Sequence, residues 1–145
     1  MYEKDYLLRM IEMLGDLIRA LVGYIARGDY QQAREKLTEA YITFLRKDAS
    51  FFINIPTVDL TTRLLAEHNY TNSHLEILAE LFHAEAMLLE AEGKPADSLS
   101  YYEKALRLFT FTDETSRTYS DERIRKIAQI RDRITDLHKT QSLQQ

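Results

Sequence analysis

Apolar residues recur every three or four positions along most of this 145-residue chain. That spacing is typical of one buried face of an α-helix, and no stretch alternates with the period of a half-buried strand. The chain has only four glycines and two prolines, so we expect long helices with few breaks. The pattern therefore predicts an all-α protein of about six helices.

The predicted helices cover about residues 2–27, 30–46, 57–67, 73–92, 95–110 and 119–138. Residues 1–138 are predicted to form a single domain, and residues 139–145 a polar tail. Between the second and third helices, residues 50–56 have no helical period, and residues 111–120 form a second predicted loop. The adjacent Phe51 and Phe52 either anchor the first loop in the core or protrude as a contact, and anchoring is favoured.

Composition excludes several classes of function. The net charge of −4 argues against a general affinity for nucleic acid. The absence of cysteine excludes disulfides and thiolate chemistry, and it suits a reducing, cytoplasmic environment. We expect no membrane span, because the longest apolar stretch, residues 10–25, is interrupted by Glu12, Asp16 and Arg19.

Two segments share one pattern of small and bulky residues, GDYQQAREKLTEAY from Gly28 and GKPADSLSYYEKAL from Gly93. A small residue follows each glycine by five positions, a bulky one by nine and an alanine by twelve. These residues are Ala33, Leu37 and Ala40 in the first segment and Ser98, Tyr102 and Ala105 in the second. Small residues at these positions let a neighbouring helix approach closely, which is typical of a tightly packed helical hairpin.

This pattern resembles the tetratricopeptide repeat (TPR), a family of helical hairpins with a 34-residue period. Tyr24 and Ala86 stand where the family favours an aromatic and a small residue. The tryptophan that often opens the repeat is replaced by Leu17 and Phe82, and neither unit has a closing proline. The resemblance implies two degenerate repeats, about 13–46 and 78–111, with an inserted third helix and a C-terminal capping helix. The whole chain also resembles small bacterial proteins of unknown function, which implies a bacterial, cytoplasmic origin.

The TPR resemblance further implies a concave face, lined by the first helix of each repeat, that binds a protein or peptide without a cofactor. The implied positions are Gly15, Ile18, Val22 and Ile25 in the first repeat and Glu80, His83, Met87 and Glu90 in the second. The second set is the predicted partner-binding surface. The first set is apolar, so we expect something to cover it. Another helix of the same chain is favoured as the cover, and the alternative is a partner, including a second copy in a homodimer.

Two other features have a chemical interpretation beside a structural one. Glu80 and His83 have the Glu-x-x-His spacing of a metal site, which Glu76 extends, although a di-iron bundle needs two such motifs. A basic set on the last helix interleaves with acids, so we interpret it as a solvated face rather than a nucleic-acid site. This set is Arg123, Arg125, Lys126, Arg131 and Arg133. We therefore expect a non-enzymatic interaction module, and the alternative is a metal-binding helical-bundle enzyme that uses Glu76, Glu80 and His83.

Overall fold

The computed structural model describes residues 2–116 and 118–143, and this part of the chain contains seven α-helices and no strand. The helices are α1 (Tyr2–Ala26), α2 (Tyr30–Leu45), α3 (Ala49–Ile53), α4 (Leu60–Glu67), α5 (Asn72–Ala91), α6 (Pro95–Thr115) and α7 (Asp121–Leu143), with a 3-10 turn at Thr57–Asp59. The predicted all-α class is confirmed. The count exceeds six because α3 lies in a segment predicted to be irregular.

The helices α1 and α2 form one hairpin, and α5 and α6 form another, with the same turn between them. Gly28 and Gly93 end the first helix of each pair with φ of 77° and 79°, a left-handed conformation that favours glycine. In both turns the amide of the residue after the glycine donates to the carbonyl five positions earlier, at 2.8 Å and 2.9 Å. The glycine amides donate to the carbonyls three positions earlier, at 3.1 Å in both turns. This pair of hydrogen bonds is a Schellman motif, which satisfies carbonyls that the helix end leaves free.

The small residues of the sequence pattern lie at the contact between the two helices of each hairpin. Ala33, Ser98 and Ala105 have no exposed surface, and Ala40 is also buried. The Ser98 hydroxyl donates to the carbonyl of Ala86 across the second hairpin, at 2.8 Å. Because a polar group is buried at low cost only when it has a hydrogen-bond partner, this contact accounts for serine at a position where the first hairpin has alanine.

The second hairpin is the centre of the molecule. Helix α5 packs against α6, α2 and α1, and α7 packs against α6 on the other side. As a result, α5 has buried residues on most of its circumference, including Leu75, Ile77, Leu81, Phe82 and Leu88. A helix that is contacted on several sides is expected to be apolar on several sides.

The segment between the hairpins is more ordered than the sequence predicts. Asp48 caps α3, because its side chain accepts a hydrogen bond from the Phe51 amide at 3.2 Å. Phe52 is buried, which confirms its predicted anchoring, whereas Phe51 is only half-buried. Lys104 of α6 is also buried and donates to the carbonyl of Ile55 and the hydroxyl of Thr57. These contacts hold the connection between α3 and α4 against the second hairpin.

Two helices are longer than predicted. Helix α6 extends to Thr115 through residues predicted as a loop, and Thr112 is buried within that extension. Helix α7 extends to Leu143, so residues 139–143 of the predicted polar tail are helical. Neither extension contains glycine or proline, and polar residues are compatible with a helix that has a solvated face.

Candidate functional site

A groove with a volume of about 690 Å³ lies between α1 and α7, above α5. Its lining includes Ile11, Leu14, Gly15 and Ile18 from α1, Glu76, Ile77 and Glu80 from α5, and Glu122, Arg123 and Lys126 from α7. The α1 wall combines these apolar residues with the charged Glu12, Asp16 and Arg19, and the α7 wall is charged. The groove can therefore hold a ligand that is apolar on one side and polar on the other.

The apolar wall has no cover within the described part of the chain. The sequence favours covering of the positions Gly15, Ile18, Val22 and Ile25 by another helix, and this prediction is wrong for Val22, which lies on α1 beyond the lining of the groove. Val22 keeps 43% of its surface exposed, because α4 packs against α6 and α7 lies on the far side of the groove. Ile18 and Ile25 are only partly buried against the core.

The structure places Glu80 on the floor of the groove, beside the α7 wall. Its carboxylate pairs with Lys126 of α7, which also lies 3.3 Å from the carboxylate of Glu122. Burial raises the pKa of Glu80, and the charge of Lys126 opposes that rise. Glu80 is thus a largely buried carboxylate whose charged form is stabilised by Lys126 of α7. It also lines the groove.

His83, one turn further along α5, lies against aromatic rings. Its imidazole centroid is 6.0 Å from the ring of Tyr102 and 6.4 Å from the ring of Phe109, both on α6. Burial lowers the pKa of His83 to about 4, and the nearby Lys126 acts in the same direction. At neutral pH the ring is therefore uncharged and contributes to the packing of α5 against α6.

This burial gives a prediction for His83 that can be tested directly. Because its folded-state pKa is below the value of 6.5 expected for the unfolded chain, protonation favours the unfolded state. The stabilisation from the neutral ring is complete above pH 6.5 and is lost as the pH falls towards 4. We expect the imidazole resonances of His83, assigned with a His83→Gln variant, to titrate near pH 4 in NMR spectra. A midpoint near 6.5 would show that the ring is solvated.

Met87 and Glu90 complete the face predicted to bind a partner. Met87 is partly buried against the core. Glu90 accepts a hydrogen bond from the Tyr102 hydroxyl at 2.9 Å and pairs with Arg133 of α7. Of the four predicted residues, Glu80 lines the groove, whereas His83, Met87 and Glu90 lie further along α5, outside the lining of the groove.

Helix α7 contributes residues that the sequence interpretation assigned to solvent. Arg123 is buried and donates to the carboxylate of Asp113 at 3.0 Å and to the carbonyl of Thr118 at 2.9 Å. Like Lys126 and Arg133, it pairs with a carboxylate of α5, although Arg133 keeps 42% of its side chain exposed. The sequence held a signal for this, because these three residues flank the apolar stripe of α7 at intervals of three and seven positions. Arg125 and Arg131 are exposed, as interpreted.

The three residues of the alternative metal site have other partners. Glu76 lies 3.8 Å from Arg123, Glu80 pairs with Lys126, and His83 packs on aromatic rings. Within residues 2–116 and 118–143, no group of three histidine, cysteine or acidic side chains is arranged to hold a metal ion. The positions of these three residues therefore do not support the alternative of a metal-binding enzyme.

Comparisons with models of protein families, with curated proteins and with solved structures find no match to this chain. Among the helices described, none has the length and apolar character needed to cross a membrane.

Proposed function

We propose that the chain is a TPR-like interaction module. In this proposal, α1 with α2 and α5 with α6 are two degenerate repeats, α3 and α4 are an insertion, and α7 is a capping helix. The matching Schellman turns and the buried small residues of both hairpins support the assignment. On this assignment α1, α5 and α7 line one concave face, which is the groove.

The proposed function is the non-enzymatic binding of a protein or peptide in this groove, without a cofactor. The observation that carries it is that apolar residues of the α1 wall, among them the 41% exposed Ile11, have no cover opposite the charged wall of α7. An amphipathic helix fits such a groove, because it can place apolar side chains on α1 and polar side chains towards α7. The sequence resemblance to bacterial proteins supports placing this activity in the bacterial cytoplasm.

A pair of matched variants of α1 tests the groove. Ile11 lines the groove and is 41% exposed, whereas Met13 is 56% exposed and lies on the opposite side of the helix. Peptides selected from a displayed library of amphipathic helices provide the probe. We expect the Ile11→Asp variant to bind the best peptide about tenfold more weakly than the original chain, since burying a charge at an apolar contact is costly. The Met13→Asp variant should bind within about twofold of the original.

Circular dichroism checks that both variants keep their helical content, and isothermal titration calorimetry measures the peptide affinities. Selection of no peptide above background would contradict the proposed function. Equal affinities for the two variants would place the binding surface elsewhere and would also contradict it.

A further inference from the structure

One side of α1 has an apolar stripe with the spacing of a coiled-coil seam. The stripe consists of Leu8, Ile11, Gly15, Ile18 and Val22, at alternating intervals of three and four residues. Leu8, Ile11 and Val22 keep 54%, 41% and 43% of their surface exposed. Such a regular stripe is the pattern by which one helix packs against another. Its central part is also the apolar wall of the groove.

We infer that the partner of this wall is α1 of a second copy of the chain, in an antiparallel, two-fold symmetric pair. The inference depends on the proposed function, since it names an occupant for the same groove wall. Leu8 and Val22 each lie seven residues from Gly15, so that glycine is at the centre of the stripe. An antiparallel pair with its two-fold axis near Gly15 places the N-terminal half of each stripe, with Leu8 and Ile11, against the C-terminal half of the other, with Ile18 and Val22.

Gly15 suits the position where the two helices would cross. A methyl group added there would meet only the guanidinium of Arg19, at 3.6 Å, and this flexible side chain is 74% exposed, so it can turn away from the crossing point. The absence of a side chain at the crossing point lets two backbones approach closely. The apolar residues on either side can then make contact along the length of the seam.

Charge complementarity selects the antiparallel arrangement. Glu12 and Arg19 lie seven residues apart on the same edge of the stripe. In an antiparallel pair this edge meets the same edge of the second copy, so each Glu12 faces Arg19 of the other chain. Arg19 already pairs with Asp16, but both side chains are about three-quarters exposed, at 74% and 76%, so its guanidinium has donors free for a second carboxylate.

A parallel pair lacks this complementarity. Parallel helices bring opposite edges of the seam together, so the edge with Glu12 and Arg19 would meet the edge of the second copy that carries Leu14 and Leu21. Those leucines are buried in the core of their own chain and carry no charge. Among the described residues Glu12 has no ion-pair partner within 4.0 Å. The antiparallel pair gives Glu12 such a partner, Arg19 of the second copy.

The oligomeric state of charge-reversed variants tests the inference. We expect the full chain to be a dimer by light scattering and sedimentation equilibrium at about 100 µM. Glu12→Arg or Arg19→Glu alone should weaken the dimer at least about tenfold, because each places like charges opposite each other at both ends of the seam. The double variant Glu12→Arg with Arg19→Glu restores opposite charges and should return to within about threefold of the original affinity.

Glu35→Arg on α2 is the matched control, because Glu35 is exposed and the substitution changes the net charge by the same amount as Glu12→Arg. It should leave the dimer unchanged. A monomeric full chain at this concentration would overturn the inference, as would a dimer that neither single variant weakens or that the double variant does not restore. The peptide-binding comparison of Ile11→Asp with Met13→Asp decides the proposed function separately when it is made at a concentration at which the chain is monomeric, because Ile11 also belongs to the seam.

Discussion

Replacing Phe52 with alanine is expected to lower the free energy of unfolding by about 3–5 kcal/mol. Phe52 has 1% of its surface exposed, and its ring lies 6.4 Å from that of Tyr41 and 5.9 Å from that of Tyr70. These rings belong to α2 and to the turn before α5, so the side chain joins the segment between the hairpins to the first hairpin. The cavity left by alanine would remove these contacts together. Urea unfolding followed by circular dichroism measures the loss.

Phe51 is the matched control for this prediction. Its ring is half-buried and packs on His68 at 5.0 Å, near the surface. We expect Phe51→Ala to cost about 1 kcal/mol. If Phe52→Ala does not fold, Phe52→Leu should retain the fold with a smaller loss, since it keeps an apolar side chain in the site. Equal losses for Phe51→Ala and Phe52→Ala would contradict the assignment of Phe52 alone to the core.

The hairpins were the most predictable part of the fold. Gly28 and Gly93 are recognisable because a left-handed residue at a helix end favours glycine. The small residues that follow them are recognisable because close helix contacts leave no space for larger ones. Both signals are local, so they can be read from one segment at a time. The short helix α3 was missed because it depends on a cap from Asp48 and on Phe52, not on a long apolar period.

The candidate site was less predictable, because it depends on which helices face each other. The spacing of Glu80 and Glu90 places them on one side of α5, but it does not reveal that α7 supplies Lys126 and Arg133 as partners. Similarly, the apolar character of Val22 implies a need for cover without indicating whether the chain itself provides it. These properties are set by contacts between distant segments, which the periodicity of either segment does not encode.

Removing the positive charge of Arg34 is expected to lower the free energy of unfolding nearly as much as Phe52→Ala. Arg34 of α2 pairs with Glu85 of α5, whose side chain is only 4% exposed, and lies 3.1 Å from Glu92. The Arg34→Met variant keeps an apolar side chain of similar length but leaves the Glu85 carboxylate buried without a cation. We expect a loss of about 3 kcal/mol at pH 7, measured by urea unfolding.

The pH dependence of this loss distinguishes a buried charge from a simple packing defect. Burial raises the pKa of Glu85 above its ordinary value of 4.5, and Arg34 opposes that rise. Without Arg34 the pKa rises further, so protonation of the carboxyl favours the folded variant. The deficit relative to the original chain should therefore be smallest near pH 4.5 and grow as the pH rises through the folded-state pKa. A deficit independent of pH would indicate lost packing instead.

A second substitution in the Arg34→Met background should restore most of the stability. Arg34→Met combined with Glu85→Met replaces the ion pair by two apolar side chains, which removes the uncompensated charge from the interface between α2 and α5. Glu92→Gln is the control, because Glu92 is more exposed, at 22% of its side chain, and its loss leaves the pair of Arg34 with Glu85 intact. We expect that control to cost less than about 1 kcal/mol. Failure of the double variant to recover would mean that the pair contributes a specific geometry that apolar packing does not replace.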